Sequence, residues 1–105
     1  MSALLGLLGL GLRAGNLVVG VDAVRTALQA GRCHCVVIAS DAGSRADDKV
    51  GRLARGKGVP VVLGPAAGEL GRVLGRPPVH AVGVRDRALA RGVLGAGANG
   101  PVTEG

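Results

Sequence analysis

Leu4, Leu5, Leu7, Leu8 and Leu12 recur at helical spacing, which predicts a first helix that stops at Gly15 and Asn16. Leu17, Val18 and Val19 then make a short apolar run up to Gly20, read as the first strand. From Val21 the pattern returns to a period of about 3.6. Val21, Val24 and Leu28 share one side of this second helix, and Asp22, Arg25, Thr26 and Gln29 project from the other. The run from Cys33 to Ala39 is apolar at nearly every position, as expected of a central strand covered on both faces. Ser44, followed by Asp47, resembles a capping box, and the helix it opens carries Arg45, Lys49 and Arg52 along one side before Gly56 and Gly58. Pro60 to Leu63 read as a third strand, and Ala67, Leu70, Val73 and Leu74 as a short amphipathic helix ending at Gly75. Val79 to Val84 read as a fourth strand after Arg76-Pro77-Pro78, and a last helix runs from about Arg87 to Leu94.

Helices alternating with short strands imply an α/β protein, a three-layer α/β/α sandwich with a four-stranded mixed sheet. At 105 residues and 48% hydrophobic composition the chain can furnish one core, so residues 1–94 are expected to form one domain. Residues 95–105 are small and polar, contain Pro101 and lack periodicity, so a disordered tail is expected there. The apolar start, Ser2 to Leu12, has no basic segment ahead of it and no small-residue cleavage site, and is too short to span a bilayer. It reads as a core helix, and no membrane partner is expected.

Charge and composition narrow the function. The chain carries 13 Lys and Arg against 7 Asp and Glu, a formal net charge of +6, spread over the fold and not gathered in a tail. A polyanionic partner is the natural expectation. All the cations except Lys49 and Lys57 are Arg, a bias that genome composition produces as readily as phosphate recognition does. The absence of Phe, Tyr and Trp excludes the single-strand binders that stack bases on aromatic rings. Cys33 and Cys35 are too close for an ordinary disulfide and too few for a zinc site, so a reducing cytoplasm is expected and no metal.

The motifs that resemble chemistry fail on context. Gly51 to Gly58 approaches a phosphate-binding loop but lacks Ser or Thr after Lys57 and lacks a strand before Gly51, so it reads as an exposed basic helix. Two Gly-x-Gly-x-x-Gly/Ala matches, Gly9 to Ala14 and Gly95 to Gly100, do not lie between a strand and a helix. Strand alternation sends His34 to the face opposite Cys33 and Cys35, leaving both cysteines as buried thiols. His80 has no Ser or Cys partner in a nucleophile setting and reads as structural. No active site is composed, and neither an enzymatic activity, a cofactor nor a small-molecule substrate is expected.

One cluster remains, in which the turn at Gly20 presents the free N–H groups and positive dipole end of the second helix. The order of elements, with the segments Arg13 to Gly20, Cys35 to Ala42 and Glu69 to Pro78, resembles the ribosomal L7Ae/L30e family of kink-turn RNA-binding proteins. Leu7 to Leu17 is most similar to the short bacterial members, with Asn16 standing where those read Lys. The likeness runs from Leu4 to about Leu94.

The resemblance implies a fold that grips a kinked RNA duplex with the start of the second helix, the turn after the central strand and the loop before the fourth strand. By position these are Gly20, Val21, Asp22, Ala23 and Thr26, then Asp41, then Arg76, Pro77 and Pro78, with Asn16 and Arg25 beside them. Strong kink-turn binders carry Gly-Ala-Asn-Glu-Val-Thr-Lys where this chain has Gly20-Val21-Asp22-Ala23-Val24-Arg25-Thr26. Asp22 cannot both donate and accept as an amide does, Ala23 has no polar group, and Thr26 brings no cation. Arg25 lies about 100° further round the helix than the family Lys, so it restores charge without the same contact.

The expected partner is structured RNA, ribosomal or another non-coding RNA, with the ribosome as its setting and translation as its process. The competing reading is a protein-interaction module that keeps the fold without RNA specificity. In that case Asp22 only complements the start of its helix and pairs with Arg25. For Arg45, Lys49, Arg52 and Arg55, a solvated helix face and a phosphate-tracking patch are equally good readings.

Overall fold

The computed structural model describes residues 3–98. Its elements are α1 (Ala3–Arg13), β1 (Leu17–Val19), α2 (Val21–Gln29), β2 (Cys35–Ile38), α3 (Gly43–Ala46), a π turn (Asp47–Gly51), α4 (Arg52–Gly56), β3 (Val61–Leu63), α5 (Ala67–Leu74), β4 (Ala81–Val84) and α6 (Arg87–Ala98). The strands lie in the order β1-β4-β2-β3. β4 runs antiparallel to both neighbours and β2 pairs in parallel with β3, so the sheet is mixed as expected.

Alternation along the central strands divides the core in two. Cys35 and Val37 of β2 and Val82 and Val84 of β4 face one side, covered by Leu4, Leu5 and Leu8 of α1, Leu70 and Leu74 of α5, and Ala90 and Val93 of α6. Val36, Ile38 and Ala81 face the other, covered by Val24, Ala27 and Leu28 of α2 and by Ala46, Val50 and Ala54. Leu8, Leu28 and Leu70 are fully buried, and burial of such a side chain is worth about 1.5–3 kcal/mol. Among the described residues no polar or charged side chain is buried, and no helix is long and apolar enough to cross a membrane.

The structure differs from the sequence reading at three places. No side chain caps α3, which already includes Gly43, so Ser44 and Asp47 do not form the expected box. Asp47 is committed elsewhere, accepting a hydrogen bond from Arg55 Nη2 at 2.8 Å across the π turn, and this bond holds its carboxyl below the ordinary carboxylate range. Cys33 and Cys35 lie on opposite faces of the sheet, because Cys33 precedes the strand and escapes its alternation. Cys33 Sγ fills the space over Gly83, only 2.8 Å from where a Cβ would stand. Finally, α6 continues to Ala98, four residues past the expected end at Leu94. The remainder of the expected tail lies outside the described residues.

Candidate nucleic-acid interface

The chain leaves β1 through Gly20, whose φ of 104° and ψ of 149° belong to a region that strongly favours glycine. Gly20 N–H donates to Ala81 O at 2.9 Å, fixing the turn to β4, and Val24 N–H donates to Gly20 O at 2.9 Å, starting α2. No side chain caps the helix. Its first turn lines a solvent-open concavity, with Asp22 as the acidic residue beside the positive dipole end.

Facing it is the Arg76-Pro77-Pro78 loop, held from below by α5. Arg76 N–H donates to Gly71 O at 2.8 Å, and Val79 N–H donates to Ala67 O at 3.0 Å. Between these anchors two prolines fix the backbone, so the loop presents Arg76 on a stiff support. Gly71 makes the close approach possible, since a Cβ there would collide with the carbonyl oxygen of Pro77.

Between the two walls lies a concavity of about 480 Å³, lined by Gly20, Val21, Asp22 and Ala23 on one side and Arg76, Pro77 and Pro78 on the other, with Val79 and His80 at its base. Val21, Asp22 and His80 also line an adjoining concavity of about 330 Å³, whose far wall is Ala42, Arg45, Ala46 and Lys49. Together they form one groove across the end of the sheet.

Over residues 2–92 the sequence matches the Ribosomal protein L7Ae/L30e/S12e/Gadd45 family. The chain belongs to this family. A solved structure of a protein of unknown function from Bacillus halodurans is 30% identical and superposes with a TM-score of 0.86, covering 91% of this chain and 97% of its own. The Giardia lamblia 15.5kD RNA binding protein superposes with a TM-score of 0.73 over 90% of this chain and 81% of its own, and at 23% identity that likeness is one of fold. No curated protein matches the chain.

Of the residues that resemblance to the L7Ae family singled out, Gly20, Val21, Asp22, Ala23, Arg76, Pro77 and Pro78 come together in the groove. Four others do not line it. Asn16 lies at the opposite end of β1, where its carbonyl accepts from Arg85 N–H at 2.8 Å. Asp41 turns toward α5, and its Oδ1 accepts from Ala67 N–H at 2.8 Å, which satisfies a donor at that helix start. Thr26 Oγ1 donates back to Asp22 O at 3.1 Å. Arg25 Nη1 donates to Lys49 O at 2.8 Å, bracing the π turn against α2.

Asp22 pairs with Lys49 Nζ at 3.6 Å, not with Arg25 as under the competing reading, and its side chain is 90% exposed, so the pair is weak and readily exchanged. Arg52 and Arg55 are matched by Asp48 and Asp47, at 3.6 and 2.8 Å. Arg45 and Arg76 form no ion pair among the described residues. The cations that face the groove are thus Arg76 on one wall and Arg45 and Lys49 on the other. In sequence the four form one basic group; in the structure Arg45 and Lys49 line the groove and Arg52 and Arg55 do not.

Proposed function

We propose that this protein binds structured RNA, ribosomal or another non-coding RNA, as a non-catalytic cytoplasmic component associated with the ribosome. The observation that carries the reading is the groove, in which the uncapped start of α2 and the braced Arg76 loop converge from separate parts of the chain. Backbone N–H groups and Arg76 suit phosphate oxygens, and the Pro77-Pro78 wall supplies a rigid shape to fit. Family membership, the net charge of +6 and the Giardia protein's description as RNA binding support the same reading.

A kink-turn is the ligand that the family resemblance suggests, but Asp22, Ala23 and Thr26 offer little for reading base edges. Recognition here rests on backbone shape and phosphate neutralisation. The test is fluorescence anisotropy with a kink-turn hairpin and a fully paired hairpin over a salt series. Affinity for the kinked RNA should fall with a slope of about 0.7–0.9 per neutralised phosphate, and Arg76→Glu should weaken it and flatten the slope by about one contact. Binding that is flat across salt, or a partner from cells that is protein and survives nuclease, would overturn the reading in favour of a protein-interaction module.

A further inference from the structure

His80 sits at the junction of the groove. Its side chain is exposed, and it shares with Val21 and Asp22 the property of lining both concavities. The backbone beneath it is fixed, since its carbonyl accepts from Ala39 N–H at 3.0 Å and the next residue accepts from Gly20 N–H at 2.9 Å. The backbone carrying His80 is therefore fixed where the two concavities meet.

The charged groups that face it are Asp22 from α2, Arg45 from α3, Lys49 from the π turn and Arg76 from the loop before β4. Three cations and one carboxylate thus line these concavities with it, and the carboxylate is already paired with Lys49. A phosphate entering the groove supplies negative charge that favours a proton on the ring. Histidine is the side chain that changes charge across the neutral range, and any ligand that prefers the protonated form must bind more tightly as acid is added.

We propose that His80 contacts the RNA backbone in its imidazolium form, so that mild acid strengthens RNA binding at this groove. The inference rests on the RNA-binding reading above. It adds a residue that touches the ligand, and a control by proton concentration that fixed Arg and Lys charges cannot supply.

The experiment measures binding of the labelled kink-turn hairpin at fixed ionic strength between about pH 5.5 and about pH 8. Affinity should rise toward acid by roughly tenfold for each unit by which RNA raises the midpoint of the His80 imidazole. That midpoint is read independently by NMR of the ring, with and without RNA. His80→Gln should remove the dependence. His34→Gln, the variant at the only other histidine, should keep it. An unchanged pH profile in His80→Gln, or a ring midpoint indifferent to RNA, overturns the inference alone. No binding at any pH overturns the RNA reading and this inference with it.

Discussion

Gly71 of α5 lies so close beneath the carbonyl of Pro77 that no side chain fits between helix and loop. Gly71→Ala therefore forces the Arg76-Pro77-Pro78 wall outward. Overpacking of this kind costs about 1–3 kcal/mol, and here it should also lower RNA affinity because the displaced wall borders the groove. Gly68, in the same helix, has nothing within 4 Å of its Cβ position, so Gly68→Ala should stabilise the protein by about 0.5–1 kcal/mol with binding unchanged. Urea unfolding and hairpin anisotropy on the two variants check the opposite signs.

Asp41 is expected to matter for stability and not for RNA. Its carboxylate accepts from the first N–H of α5 and lies outside the groove. Asp41→Ala should cost about 0.5–2 kcal/mol, as the loss of a helix-start acceptor does, and leave hairpin affinity within error. A large loss of affinity with unchanged stability would return Asp41 to the binding surface.

Arg45 and Lys49 should neutralise phosphate, and Arg52 and Arg55 should not. The first two line the groove, Lys49 in a weak exposed pair with Asp22, whereas Arg52 and Arg55 lie outside it. In the salt series, Arg45→Gln with Lys49→Gln should reduce the slope by about two contacts, while Arg52→Gln with Arg55→Gln should leave it unchanged. Equal effects from both pairs would mean a diffuse field in place of a defined wall.

The two thiols should be inert in the folded protein. Burial pushes the Cys35 thiol up to about 12, and burial also raises Cys33. Since the thiolate is the reactive form, Ellman's reagent at about pH 8 should label neither until the chain unfolds. The same shifts give the stability a sign. A thiol kept neutral by folding stabilises fully below its unfolded value, and that contribution is lost as pH rises through the folded one. An alkaline limb beginning above about pH 8.5 is expected, weakened by Cys35→Ala.

Much of this protein is written in local pattern. The apolar stripe of α2, the uninterrupted run of β2 and the Gly75 end of α5 each needed only nearby residues to be read, and each appears in the structure within a residue or two. Even the meeting of α2 with the Arg76 loop was legible, though only through family likeness. What stayed hidden depends on contacts between distant segments. Asp41 looks like a turn residue until α5 arrives beside it, and Arg25 looks free until the π turn offers the Lys49 carbonyl. Alternation puts Cys33 on the wrong face because it holds only while the backbone remains a strand. His80 reads from the sequence as structural, and nothing adjacent in the chain reveals that it lines two concavities.

The groove draws its walls from opposite sides of the sheet, α2 from one layer and the α5-braced loop from the other. Neither layer alone forms both of these walls, so a half-assembled chain lacks the complete groove. Any guest that bridges the two walls is thermodynamically a clamp: it rewards the complete native state only, and saturating amounts of it should raise the melting temperature of the whole domain.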